Sequence, residues 1–331
     1  MSIIVQKFGG TSVNTPEKRE QVLAKVIAAK EEGNDVVVVV SAMGRKGEAY
    51  ATDTLLDLLL QVGPEPAGPL KDLLVSCGEI ISASVMAHSL AQKGYKTVAL
   101  TGFQAGIITD NDFTNADIKR VETDYIKRKL QEGNIVFVAG FQGITEQGEI
   151  TTLGRGGSDT TALALGGALG ADKTIIYTDV PGVAWTDPRL VPEVPFLKTI
   201  GFEPMYTLAK AGAKVVHLRA VKAAMDFDCP FYIRSTFQDG EGTLVGPMGE
   251  DYNGIYGLAV SNDGIREGFS LITIVWSPES KHNSERFLAL LKGQGIAVED
   301  TSPVSNGASY LVSVEQTTKA VQCLYDFSLE K

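Results

Sequence analysis

Ile3-Ile4-Val5-Gln6-Lys7-Phe8-Gly9-Gly10-Thr11-Ser12-Val13 decides the fold. A short apolar, β-branched run passes straight into paired glycines, and helix-forming sequence begins near Pro16. A strand that ends in a glycine turn and then a helix is the start of a βαβ unit, and such units build parallel sheets. Adjacent glycines also let backbone N–H groups approach an anion, while Lys7 adds a point charge suited to phosphoryl oxygens. The segment Lys7 to Ser12 therefore reads as a phosphate cradle, with a plain Gly-Gly turn as the alternative. It is not the G-x-x-x-x-G-K-[ST] loop, because the lysine precedes the glycines, and the region has no G-x-G-x-x-G fingerprint.

Outward from this segment the alternation continues to about residue 245. DVVVVVS from Asp35, KTVAL from Lys96, NIVFVAG from Asn134 and KTIIYTD from Lys173 read as further buried strands. Glu17 to Glu32, Leu70 to Lys93, Asp117 to Glu132 and Asp159 to Leu169 have helical length and spacing. The expectation is an α/β fold, a three-layer αβα sandwich on a mainly parallel sheet. Gly240 to Gly254, rich in glycine and acidic residues, predicts a domain boundary. Beyond it the expected order is strand (257–261), strand (270–276), helix (283–292), strand (296–300), strand (309–314) and helix (317–327). These elements form one small α+β ferredoxin-like module. The predicted domains are 1–245 and 254–331.

A chain of 331 residues with 44% apolar composition is long enough for a large core, and its net charge of −10 works against nucleic-acid binding. No stretch reads as a membrane span and the start does not resemble a signal peptide, so the expectation is a soluble cytoplasmic protein. Cys77, Cys229 and Cys323 are too scattered for a disulfide framework or zinc site, and His88, His217 and His282 are far apart in sequence. No metal ligand is expected from the protein.

A second motif is Thr152-Leu153-Gly154-Arg155-Gly156-Gly157-Ser158-Asp159-Thr160-Thr161, leading into ALALGGALG. Ser158 or Asp159 could cap that helix. Capping alone leaves Arg155 unused, whereas an arginine among glycines at a helix N-terminus can clamp a carboxylate, and Asp159 can hold an ammonium. This describes a receptor for an amino-acid zwitterion, against the alternative of a solvated turn arginine.

KFGGTSV (from Lys7), VVVVVSAMG (from Val36), SCGE (from Ser76), GRGGSDTTA (from Gly154), YTDVPGV with TDPR (from Tyr177) and GAKVVHLRA (from Gly212) together resemble the aspartate kinase family in order and spacing. The resemblance implies the amino-acid kinase fold, with ATP and the amino acid on either side of the sheet's C-terminal edge. It implies that Lys7 and Asp159 are catalytic, and that Lys7, Gly9, Gly10, Thr11 and Ser12 hold the transferring phosphate. Thr178, Asp179, Arg189 and Lys214 match nucleotide-contacting positions. Ser41, Thr52, Glu79, Arg155, Ser158 and Asp159 match the aspartate pocket. ATP with Mg²⁺ and L-aspartate are the expected ligands. A single ACT-like module in place of the usual two is expected to mediate homodimers or higher homo-oligomers, with binding of a feedback effector as the alternative. Ala184 stands where many members carry an aromatic residue, with Trp185 as the neighbouring platform for adenine, and His217-Leu218-Arg219 replaces the usual His-Pro-Arg.

Overall fold

The computed structural model describes residues 2–247, 254–278, 280 and 282–329. From the start of the chain the elements are β1 (Ile3–Phe8), the single turn α1 (Gly10–Val13), α2 (Pro16–Glu31) and β2 (Asp35–Val40). There follow α3 (Thr52–Val62), α4 (Gly68–Val75), α5 (Cys77–Ala91) and β3 (Thr97–Leu100). Short strands β4 (Ile107–Thr109) and β5 (Ile118–Val121) precede α6 (Asp124–Gln131), β6 (Ile135–Ala139), β7 (Gln142–Ile144) and β8 (Ile150–Thr152). Next come α7 (Gly157–Leu169), β9 (Lys173–Thr178), β10 (Thr199–Gly201), α8 (Phe202–Lys210), α9 (Leu218–Asp226) and β11 (Phe231–Ser235). The chain continues through β12 (Thr243–Gly246), β13 (Ile255–Ser261), β14 (Phe269–Trp276), α10 (Ser284–Gly293), β15 (Val298–Val304), β16 (Gly307–Ser313) and α11 (Val314–Leu329).

Two compact units result, and no single cut separates them: Met1–Pro181 with Arg219–Glu241, and Gly182–Leu218 with Gly242–Lys331. In the first unit the parallel strands run in the order β11-β9-β1-β2-β6-β3. Val36 to Val40 are all fully buried, as expected of a strand covered on both faces. Alternation along the strands sorts the two faces. Ile4, Phe8, Val36, Val38 and Val40 pack in one core with Val22, Leu23 and Val26 of α2 and with Met86 and Leu90 of α5. Helix α7 packs against β1 and β9, and Lys7, one residue out of phase with Phe8, reaches it.

The expected strands are present, as are the helices over α2 and α7. Two helical expectations need correction. Asp117 to Glu132 is not one helix: Ile118–Val121 forms β5, and only Asp124–Gln131 is helical. The strand is captured by antiparallel pairing with β4 in a separate four-stranded sheet of order β5-β4-β7-β8, a long-range contact that outweighs local propensity. Leu70 to Lys93 is divided at Ser76, whose hydroxyl donates to Leu73 O at 3.0 Å. This run, Gly68–Ala91, is long and apolar enough to cross a membrane, yet half of it is buried inside the unit and it carries the buried carboxyls of Asp72 and Glu79. It is built as a core helix pair.

In the second unit β13-β14-β16-β15 form an antiparallel sheet. This is the strand order of a ferredoxin-like module whose last strand comes from the N-terminal side. Phe287, Leu291, Ala320, Val321 and Leu324 from α10 and α11 cover it, and Trp185, Val191 and Val194 share the same core. Pro303 sits on the edge strand β15, where a missing N–H costs no ladder bond. Within the predicted boundary Gly240 to Gly254, Thr243–Gly246 form β12 paired with β10, and residues 248–253 lie outside the described residues. Glu279 and Lys281, in the loop before α10, also lie outside them.

Candidate active site

Parallel strands place their C-terminal ends along one edge, where connecting loops converge. Five such ends meet in the first unit. Ser41 N donates to Phe8 O at 3.2 Å, Gly140 N to Val40 O at 3.0 Å, and Thr236 N to Thr178 O at 2.8 Å. The glycine turn after β1 is packed into this edge. A Cβ on Gly10 would lie 2.2 Å from Ala42 O, and Gly44 N donates to Gly10 O at 3.1 Å. Only glycine lets the turn come this close to the loop after β2. Ser12 is buried, and its hydroxyl shares a hydrogen bond with the Thr236 hydroxyl at 3.0 Å, joining the turn to the end of β11. Thr11 O accepts from Lys18 Nζ at 3.0 Å.

Lys7 and Asp159 meet at the centre. Lys7 Nζ lies 2.5 Å from Asp159 Oδ1, with both side chains largely buried. The contact is an ion pair, Asp159 Oδ1 having no aligned hydrogen bond of its own. The ammonium also lies over Gly9, 3.7 Å from where a Cβ would be. Ser158 and Asp159 occupy the first turn of α7, but neither caps it: the N-cap is Gly156, in the left-handed region, with no side-chain cap bond. Both side chains are thereby left for the site. Ser158 packs against Gly140, where an added Cβ would lie 2.8 Å from its own Cβ. Gly154 and Gly156, at φ +69° and +74°, turn the chain so that Arg155 stands exposed at the tip, without an ion pair among the described residues.

Glu79, in the first turn of α5, is buried beneath the loop after β2, and its Oε1 accepts from Ala42 N at 2.9 Å. Oε2 is buried without a hydrogen-bond partner. Burial pushes the carboxyl up to about 8, the Ala42 N–H offsetting only part of the desolvation. Thr52 is the first residue of α3 and does not cap it, the N-cap being Ala51. The turn before it abuts the start of α5, since a Cβ on Gly78 would meet Ala42 Cβ at 2.7 Å and Tyr50 O at 3.0 Å.

Thr178 and Asp179 lie at the end of β9, and the Thr178 hydroxyl donates to Asp179 Oδ1 at 3.2 Å. Arg189 and Lys214 belong to the second unit. There Arg189 is paired with Asp187 at 2.5 Å, which holds the Asp187 carboxyl below the usual carboxylate range, and Lys214 is exposed. Trp185 is not a platform for adenine: it is buried in the core of that unit, with Nε1 donating to Ile255 O at 3.2 Å and its ring edge-on to Tyr325. The neighbouring arginine of the His-Leu-Arg sequence, Arg219, binds the loop at Asn115 to Asp117. Sequence reasoning assigned no role to Asp72, Asn115 or Arg219, because a charged residue on a helix or loop carries no sign of a partner that is distant along the chain.

The sequence model of the amino acid kinase family matches residues 2–235. An aspartokinase of Geobacillus stearothermophilus is 43% identical over 329 residues, spanning 98% of this chain and 79% of that protein. An aspartokinase of Bacillus sp. strain MGA3 is 50% identical over 245 residues, 74% of this chain, and the match spans 58% of that relative's length. Among solved structures, Escherichia coli aspartokinase III in complex with aspartate and ADP superposes with a TM-score of 0.66 at 26% identity. That superposition covers 94% of this chain and 79% of that one. With its glycine cradle, its Lys7–Asp159 pair and these relatives in view, the chain belongs to the amino acid kinase family, on its aspartokinase branch.

Proposed function

We propose that this protein is an aspartate kinase, transferring the γ-phosphate of ATP to the β-carboxylate of L-aspartate to give 4-phospho-L-aspartate, the first step towards lysine, threonine and methionine. The observation that carries the proposal is the Lys7–Asp159 pair beside the Gly9-Gly10 turn, with exposed Arg155 four residues before Asp159 in the same turn-to-helix segment. It sets a phosphate-binding cation beside groups suited to both ends of an amino acid. A β-carboxylate oxygen attacks phosphorus in line, the bond to the bridging oxygen breaks, and ADP leaves with that electron pair. The nucleophile is already ionised near neutral pH, so no base is needed. Lys7 and the turn amides offset charge on the transferring group. Arg155 clamps the α-carboxylate, and Asp159 exchanges Lys7 for the substrate ammonium, with Glu79, Ser41, Thr52 and Ser158 lining the pocket. Thr178 and Asp179 at the end of β9 contact the nucleotide.

Mg²⁺ neutralises phosphate oxygens when bound. Met1–Pro181 with Arg219–Glu241 form the catalytic unit, and 254–331 supply an ACT-like module, packed with Gly182–Leu218, that joins copies of this cytoplasmic enzyme.

ADP release with Mg²⁺-ATP and L-aspartate, with hydroxylamine trapping the acyl phosphate, tests the proposal. Wild type should turn over only with aspartate, and Arg155→Ala should raise KM for aspartate by on the order of 100-fold. A folded, ATP-binding wild type that releases no ADP refutes it.

A further inference from the structure

Asp72 lies on α4 with no exposed surface. Its Oδ2 accepts from the backbone N–H groups of Thr114 and Thr152, each at 2.8 Å, and Oδ1 accepts from the Thr152 hydroxyl at 2.7 Å. A buried carboxyl held by three uncharged donors acts as a fixed peg, since moving any donor leaves an acceptor unmet in a dry site. Thr152 ends β8, three residues before Arg155.

The loop that pairs with this strand end is held by Arg219 of α9. Its guanidinium pairs with Asp117 at 2.6 Å and donates to Asn115 O at 3.1 Å, Ala116 O at 2.8 Å and the Asn115 side chain. Ala116 N donates to Thr152 O at 2.9 Å, so both clamps act on one strand end. Gly154 lies against the loop that Arg219 holds: a Cβ there would come 2.8 Å from Asn115 Oδ1 and 3.2 Å from Arg219 Nη1. Arg155 itself is exposed and has no ion pair among the described residues.

We propose that Asp72 is a positioning residue for Arg155, holding the Thr152–Gly154 strand end, with Arg219 on the loop that pairs with it, so that the Arg155 guanidinium is aimed at the substrate carboxylate. The proposal rests on the reading of Arg155 as the carboxylate clamp. Asp72→Asn places an NH₂ where an acceptor stood, so at least one Thr152 or Thr114 donor loses its partner. Thr152→Val removes the hydroxyl alone.

The test is steady-state kinetics on the full chain for wild type, Asp72→Asn, Thr152→Val, Arg155→Ala and Asp72→Asn/Arg155→Ala. Each of the first two substitutions should raise KM for aspartate roughly tenfold, with KM for ATP within about twofold of wild type. In the Arg155→Ala background, Asp72→Asn should add nothing further, because the group it positions is gone. An equal effect in both backgrounds, or a fall in kcat with KM for aspartate unmoved, overturns the proposal. Thr152→Val carries the same test if Asp72→Asn fails to fold. If the wild type does not use aspartate, the functional reading fails. Amide exchange over residues 152–157 then decides the positioning role alone: faster exchange there in Asp72→Asn supports it, and unchanged exchange refutes it.

Discussion

Burial raises the Glu79 carboxyl to about 8, the loss of water outweighing the backbone N–H groups of Ala42 and of Glu79 itself, and Oε2 has no hydrogen-bond partner. The folded protein therefore holds a proton that the unfolded chain, near 4.5, has released. Between these values the native state binds more protons, so stability falls as pH rises. The contribution is full below about 4.5 and is lost by about 8, amounting to at most about 5 kcal/mol. Thermal melts of ligand-free Glu79→Gln should accordingly lack most of the decline that wild type shows across that window. Equal slopes for the two proteins would mean that Glu79 is not buried as described. The sequence offers SCGE as a helix start, but that the carboxyl lies beneath the loop after β2 depends on how α5 meets β2, a contact between segments 37 residues apart.

Helix α7 shows the same limit for a whole element. Its apolar run and its extent are legible, yet Gly166 and Gly167 in its interior look like weak points by propensity. The packing gives their reason. A Cβ on Gly166 would lie 2.2 Å from Thr174 Oγ1, and one on Gly167 would lie 2.1 Å from Phe227 O. The backbone contact at Gly167 has no side chain that can give way. Gly167→Ala should lower stability by about 2–4 kcal/mol despite its better helix propensity, read as a fall in Tm. A rise in Tm would show that the segment after α9 moves aside freely. Residues 118–121 went unrecognised as a strand for a related reason: four residues preceding a helix carry too short a pattern, and β4 supplies the pairing.

For the whole molecule the decisive feature is that Gly182–Leu218 leaves the first unit and joins the C-terminal module, so that Trp185, Val191 and Val194 are buried with Ile272, Tyr310 and Leu324. A fragment of residues 1–245 would keep Trp185 and lose those partners. Its tryptophan emission should be shifted to the red and it should bind an apolar dye, whereas a compact fragment with a blue-shifted Trp185 would show that the first 245 residues close their own core. The sequence by itself determined the parallel α/β layer, the ferredoxin-like tail and the glycine turn after the first strand. Each of these is written in local periodicity, in glycine spacing or in motifs that lie on one short stretch. Only the tertiary structure decided that Asp72 and Arg219 bind the strand end and loop beside Arg155, that the Glu79 carboxyl is buried with one oxygen unpartnered, that Trp185 belongs to the core, and that Gly182–Leu218 joins the C-terminal module. These depend on contacts between segments far apart in the chain, where burial and hydrogen-bond partners are set by packing and leave no mark on the neighbouring residues.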